Sequence, residues 1–273
     1  QAIKEQYLPT GLNSDVPKKL YSVAISLTDK IDTLVGFFGI NEKPSSSKDP
    51  YALRRVALGI IRIIIENKRD IKINDCFSYS LNYYLDQGFI FSNDLLIQDL
   101  TNFLKERFKY YLKENDIRYD IIDAASKVFN LNNISTIFQK AKSLNKIINK
   151  PVGIDIVSSY KRASNILNSE IKDIKSELSN TTDPGIFKNN FEKDLYKKTV
   201  EIKKYISEIS KDKEFDETLL LLSSAKKEIF AFFDNVKVND ENDDVRKNRL
   251  ELLNFFCKTY ENFLDFHQIR EIN

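Results

Sequence analysis

With 273 residues the chain is long enough to bury a substantial core and, at ~100–200 residues per domain, to form two domains. Charged residues make up 30 % of it yet cancel to a formal +2, which excludes a bulk polycation, so any contact with nucleic acid must come from local patches. One histidine excludes a multi-histidine metal centre within the chain and argues against a histidine-centred triad, and no glycine-rich phosphate loop is present.

Seven glycines and six prolines are little punctuation for this length, and no stretch alternates long enough to read as a strand. The expected fold is therefore all-α. Ala2 to Leu8 reads as the last turns of a helix closed by Pro9 and Gly11, as expected for a piece of a longer protein. A helix over 16–38 stacks Val23, Leu27, Ile31, Leu34 and Phe38 in one apolar stripe and ends at Gly39. After the polar loop 41–48, Asp49 and Pro50 open the next helix as N-cap and first-turn residue. Asp75 caps a helix ending at about Gln87 with Gly88 as its stop, and Ser92 or Asn93 opens a long one to about 115 whose apolar set is Leu96, Leu100, Phe103, Leu104, Phe108, Tyr111 and Leu112. Two further helices fall over 116–130 and 133–149. Lys150-Pro151-Val152-Gly153 reads as a break and a candidate domain hinge. Beyond it come a helix through Tyr160 to Leu167, the turn 180–184, and helices over 191–210, 215–233 and 245–269. Cys76 and Cys257 lie far apart in helical text and read as buried thiols of a reducing compartment. No apolar run reaches the ~18 residues of a membrane span, and no signal peptide is read.

Two groups of residues carry candidate chemistry. Lys43, Lys48, Arg54 and Arg55 fall at and just after a helix N-terminus, where cations have the wrong sign for the helix dipole. A solvated charged face and a phosphate-contacting face both explain them. Tyr160, Lys161 and Ser164 fall on one side of their helix, offering a stacking ring and cations, which suits unpaired RNA; an ordinary amphipathic helix has the same pattern. Asp29 and Asp32, three apart, read either as paired carboxylates or as partners of Lys30 and nearby loop cations. His267 reads as a surface or helix-end residue.

The strings LTDKIDTLVGFF over 27–38, KDPYALRR over 48–55 and LGIIRIIIE over 58–66 resemble the bacterial glycyl-tRNA synthetase β-subunit. KRASNIL over 161–167, AFFDNV over 231–236 and VRKNRLELL over 245–253 are similar to its helical anticodon-binding domain. The likeness rests on helical pattern alone over 70–150 and 168–215, and Lys237 stands where an apolar residue is expected. It implies an HD-like helical region followed by a helical-bundle anticodon-binding domain. The segments expected are 1–68 as the end of the HD-like domain, 69–150 as linking helices and 151–273 as the bundle. Asp29 matches the last metal-ligand position of the HD metal-phosphohydrolase pattern. The histidine positions of that pattern would lie before Gln1, so Asp29 is expected to be vestigial and no metal is expected.

The resemblance further implies the tRNA-binding part of a glycine–tRNA ligase with no catalytic residue of its own. Its partners would be tRNA-Gly and the α-subunit, in a tetramer of two α- and two β-subunits, with neither membrane nor DNA involved. ATP with magnesium would be used on the α-subunit, and no cofactor is expected here. The implied compartment is cytoplasmic. Candidate RNA contacts are Lys48, Arg54, Arg55, Lys161, Arg162, Asn165, Arg246 and Arg249. The alternative is a helical protein–protein scaffold that binds no RNA; an HD-type phosphohydrolase is disfavoured by the missing histidines.

Overall fold

The computed structural model describes residues 1–11, 13–91, 95–171, 178, 181–208 and 215–271. Among them every regular element is helical. The chain divides into two compact units, one formed by residues 1–117 and 129–138, the other by 118–128 and 139–273.

The first unit begins with α1 (Ala2–Glu5) and α2 (Leu20–Gly39). The apolar stripe of α2 is buried as its spacing predicts, with Leu34 fully enclosed and Phe38 only 2 % exposed. The helix starts four residues later than expected because the preceding carbonyls are already engaged. Arg62 donates to Gly11 O at 2.5 Å and Ser14 O at 2.7 Å, and Asn67 donates to Pro17 O at 3.0 Å.

Helix α3 (Leu53–Glu66) starts three residues late. Asp49 still caps it, its carboxylate accepting from the N–H groups of Leu53 at 2.8 Å and Arg54 at 3.0 Å. A turn intervenes, closed by Ala52 in the left-handed region at φ 54°. Ile60, Ile61, Ile63, Ile64 and Ile65 are all buried, so α3 runs through the centre of this unit, as a helix apolar on most sides must.

α4 (Ile73–Asp86) packs on α2, and α5 (Leu96–Glu114) packs on α2 and α3. Gly88, at φ +85°, ends the α4 turn: its N–H donates to Leu85 O and that of Phe89 to Tyr84 O, a paired closure that needs a left-handed residue. The expected caps Ser92 and Asn93 lie outside the described residues. Residues 69–117 are thus part of the first unit rather than a separate linker. Asp70 reinforces this, accepting from the Ser135 N–H at 2.8 Å and from the Thr136 hydroxyl.

In the second unit, α6 (Tyr119–Lys127) is tied to the C-terminal 3-10 turn (Phe266–Gln268), with Asp120 accepting from the Arg270 N–H at 2.9 Å. α7 (Ile134–Ile147), of which residues 139–147 belong to this unit, is followed three residues on by α8 (Pro151–Ile171), in which Pro151 is the first residue. α8 packs against α10 (Phe215–Ser224), α11 (Lys226–Asn235) and α12 (Asp243–Glu261), while α9 (Asn190–Glu208) packs against all three of these helices. Tyr160, Phe256, Tyr260, Phe263 and Phe266 form the aromatic core.

Three expectations are corrected here. The helix expected over 215–233 is two, because the Leu222 carbonyl accepts from the Tyr260 hydroxyl at 2.6 Å and from the Ala225 N–H at 3.3 Å, interrupting the helical ladder. The closing helix ends at Glu261 and not near Ile269. Cys257 is buried, but Cys76 is only half-buried.

Lys140 gives this unit a titratable weak point. Its ammonium donates to Asn262 O at 2.9 Å and lies 5.4 Å from the Phe263 ring centroid. Burial pulls its pKa down to about 8. Below that pH the amine is charged in both the folded and unfolded chain. Between about 8 and the ordinary 10.5 only the unfolded chain holds the proton, so folding stability rises with pH across that window. Lys140→Met is expected to flatten the rise by about 1–2 kcal/mol in urea titrations at stepped pH. Identical slopes in the two proteins would refute it.

Candidate nucleic-acid interface

In the first unit the loop before α3 is folded back on itself. Ser45 N donates to Lys48 O at 3.0 Å, Lys48 N donates to Ser45 Oγ at 3.2 Å, and Arg54 Nη2 donates to Ser45 O. The four cations of this stretch therefore differ in what they can offer. Lys43 is paired with Asp99 at 2.5 Å. Arg54 spends one nitrogen on the loop. The exposed side chains of Lys48 and Arg55 meet no acceptor among the described residues. Arg54 and Arg55 line a cleft of about 450 Å³ whose other walls include Leu58, Arg62, Arg107 and Tyr110, with no carboxylate among them. Arg107 and Tyr110 on α5 were missed in the sequence. Both fall between the buried positions of the leucine stripe, one turn apart, which is the pattern of any exposed residue on an amphipathic helix.

Asp29 is exposed, and no three His, Cys, Asp or Glu side chains converge among the described residues. The expected pairing of Asp32 with Lys30 is corrected. Asp32 accepts from Ser80 Oγ at 3.2 Å and Tyr84 Oη at 3.1 Å, and burial together with that carboxylate pushes the Tyr84 phenol up to about 12. Lys30 is buried and donates to Ser26 Oγ at 3.0 Å and Gln6 O at 3.3 Å.

In the second unit most of the expected contacts are engaged within the protein. Tyr160 does not offer a stacking surface: it is fully buried and its hydroxyl donates to Glu261 at 2.7 Å, while burial and that carboxylate raise its pKa. Ser164 is buried too. Lys161 Nζ donates to His267 O at 3.0 Å. Arg162 lies 4.6 Å and 5.0 Å from the Phe230 and Phe233 ring centroids and pairs with Asp234 at 3.1 Å. Its side chain is still 35 % exposed. Arg246 pairs with Glu170 at 3.1 Å. Asn165 is exposed, with no partner for its amide among the described residues.

Arg249 is a correction. Only 5 % exposed, it donates to Glu192 Oε1, Asp240 Oδ2 and Lys237 O, each within 2.8 Å. It has no surface to show RNA. Lys237 explains itself in the same place: its side chain is exposed between buried Val236 and Val238, and its carbonyl holds Arg249. Exposed cations that the sequence reading passed over, Lys197 and Lys227, border a groove between α9 and α11 that also holds Phe191 and the carboxylates Asp194, Glu201 and Glu228.

Comparison with known families defines first the class. Residues 156–273 match the model described as "DALR anticodon binding domain", so the second unit carries the anticodon-binding module of aminoacyl-tRNA synthetases. Residues 1–127 match "Glycyl-tRNA synthetase beta subunit". The chain belongs to the glycyl-tRNA synthetase β-subunit family. Among its relatives, the glycine–tRNA ligase β-subunit of Rickettsia prowazekii (strain Madrid E) is 37 % identical over 266 residues, 97 % of this chain and 37 % of the relative. That of Rickettsia africae (strain ESF-5) is 37 % identical over 98 % of this chain and 38 % of the relative, and that of Rickettsia felis (strain ATCC VR-1525 / URRWXCal2) is 38 % identical over 97 % and 37 %. The chain thus spans under two-fifths of the length of these relatives.

Proposed function

We propose that this chain is the tRNA-binding part of a glycine–tRNA ligase β-subunit, holding tRNA-Gly through anticodon and arm contacts while glycylation proceeds elsewhere. The match of residues 156–273 to an anticodon-binding domain carries this reading. Its mechanism is positional. Cations hold backbone phosphates, and polar side chains such as Asn165 read unstacked bases. Glycine activation with ATP and magnesium is assigned to the α-subunit, in a tetramer of two α- and two β-subunits in the cytoplasm, and this chain supplies no catalytic group. Lys48, Arg54 and Arg55 remain candidate contacts in the first unit. Lys161, Arg162, Asn165 and Arg246 remain in the second, with smaller effects expected from the three that already have protein partners.

Binding of tRNA-Gly over a range of salt tests the reading. Lys48→Gln with Arg55→Gln is expected to weaken binding and reduce the slope of log affinity against log salt by about 1–2. An anticodon change is expected to cost about 1–3 kcal/mol per base. Binding that ignores salt, the anticodon and both cations would leave the helical scaffold as the better account.

A further inference from the structure

The cleft between α3 and α5 gathers four guanidinium groups and no carboxylate. Each has a different amount left to give. Arg62 is spent, on Gly11 O, Ser14 O and Glu66 at 2.7 Å or less. Arg54 shares one nitrogen with the loop. Arg55 meets no acceptor among the described residues. Arg107 is the informative one. Its Nε is sealed from solvent and has no hydrogen-bond partner, although the guanidinium carries a full charge. A buried N–H donor without an acceptor is unfavourable, and so are like charges gathered round one opening. The fold does not recover this locally, because Arg54 and Arg55 also oppose the dipole of α3. An anion in the cleft would offset all three.

The shape of the cleft narrows the anion's class. About 450 Å³ lies within the roughly 300–1,000 Å³ of small-ligand clefts, well above what a lone halide needs. Planar guanidinium forks match phosphate oxygens in pairs. Tyr110 is 37 % exposed, lines the same cleft, and has the Arg107 guanidinium carbon 5.8 Å from its ring centroid. Phosphate donors beside an exposed ring are the two halves of a nucleotide site.

We propose that this cleft is a nucleotide-phosphate site, in which Arg107 and Arg55 hold the phosphate and Tyr110 receives the base. That the nucleotide is an unstacked residue of the bound RNA rests on the RNA-binding reading above; the phosphate chemistry does not.

The test has two arms. In the first, adenosine 5′-monophosphate, inorganic phosphate and adenosine are titrated into the whole chain while arginine Nε–H signals are followed by NMR. The monophosphate is expected to move the Arg107 signal and bind more tightly than phosphate. Arg107→Gln is expected to lower monophosphate affinity about tenfold, and Tyr110→Leu to reduce it to that of phosphate. Equal binding of adenosine and its monophosphate, or unchanged affinity in both variants, would overturn the site. Thermal melting of the variants separates a lost site from a lost fold. The second arm measures tRNA affinity. Weakened tRNA binding in both variants makes the source an RNA nucleotide. Wild-type tRNA affinity in variants that have lost the monophosphate makes the source a free nucleotide. No tRNA binding by the parent chain, with the monophosphate effects intact, removes the RNA reading and leaves the site standing.

Discussion

Arg249→Met is expected to lower folding stability by about 3–5 kcal/mol, read as a fall in the urea midpoint with little change in slope. The size follows from what the substitution leaves behind. Glu192 is 1 % exposed and Arg249 only 5 %. The carboxylate also accepts from the backbone N–H groups of Lys188 at 2.7 Å and Asn189 at 3.0 Å, and Asn189 Oδ1 accepts from the Glu192 N–H at 3.1 Å. That reciprocal pair is a capping box at the start of α9. Removing Arg249 leaves a buried carboxylate held by two backbone donors alone and does not simply delete a contact. Asp240 and the Lys237 carbonyl lose their partner in the same step. Replacing Arg249 with Met and Glu192 with Gln together should recover part of the loss, because the buried carboxylate goes with it. At a temperature where Arg249→Met is folded, its tRNA affinity should match the parent chain. A stable variant with weakened tRNA binding would reverse the assignment and make Arg249 an RNA contact after all.

This arginine shows where the sequence stops being legible. The apolar stripes of α2 and α5 were readable because the helical period repeats within each segment, and the buried side chains are those the spacing predicts. Asp49 and Gly88 were readable because capping chemistry is local, although the Asp49 cap acts across an added turn. What could not be read depends on distant partners. Arg249 meets Glu192, 57 positions away in the chain, and nothing near Arg249 announces that carboxylate. Tyr160 sits in a basic helix yet its hydroxyl belongs to Glu261, 101 positions on. The break at Ala225 is imposed by the hydroxyl of Tyr260. Charge alone therefore sorted candidate RNA contacts poorly, since burial decides which cations are free. Lys48 and Arg55 remain available, while Arg107 was passed over because a lone arginine in an amphipathic helix carries no distinguishing local pattern.

Gly153→Ala is expected to destabilise the chain by about 3 kcal/mol, although alanine is the better helix former by about 1 kcal/mol. Pro151 and Gly153 read in the sequence as a break and a hinge. Instead both lie within the first turn of α8, and the glycine serves close approach. A Cβ at position 153 would fall 2.3 Å from Ile147 O and 2.5 Å from both Cα and O of Ile148. These are backbone atoms and cannot rotate aside as a long side chain would. The end of α7 would have to move away from α8, and Ile148 and Ile156, both buried beside that corner in the sequence, would lose packing. The two readings predict opposite signs. A hinge glycine replaced by alanine loses freedom in the unfolded chain and should gain about 0.4–1 kcal/mol. A close-approach glycine loses far more to the collision than it gains in propensity. Urea denaturation of Gly153→Ala, with Gly11→Ala as a control where a Cβ meets nothing within 4 Å, separates them. A higher midpoint for Gly153→Ala would restore the hinge, and a lower one shows that the tight corner between α7 and α8 requires the absence of a side chain.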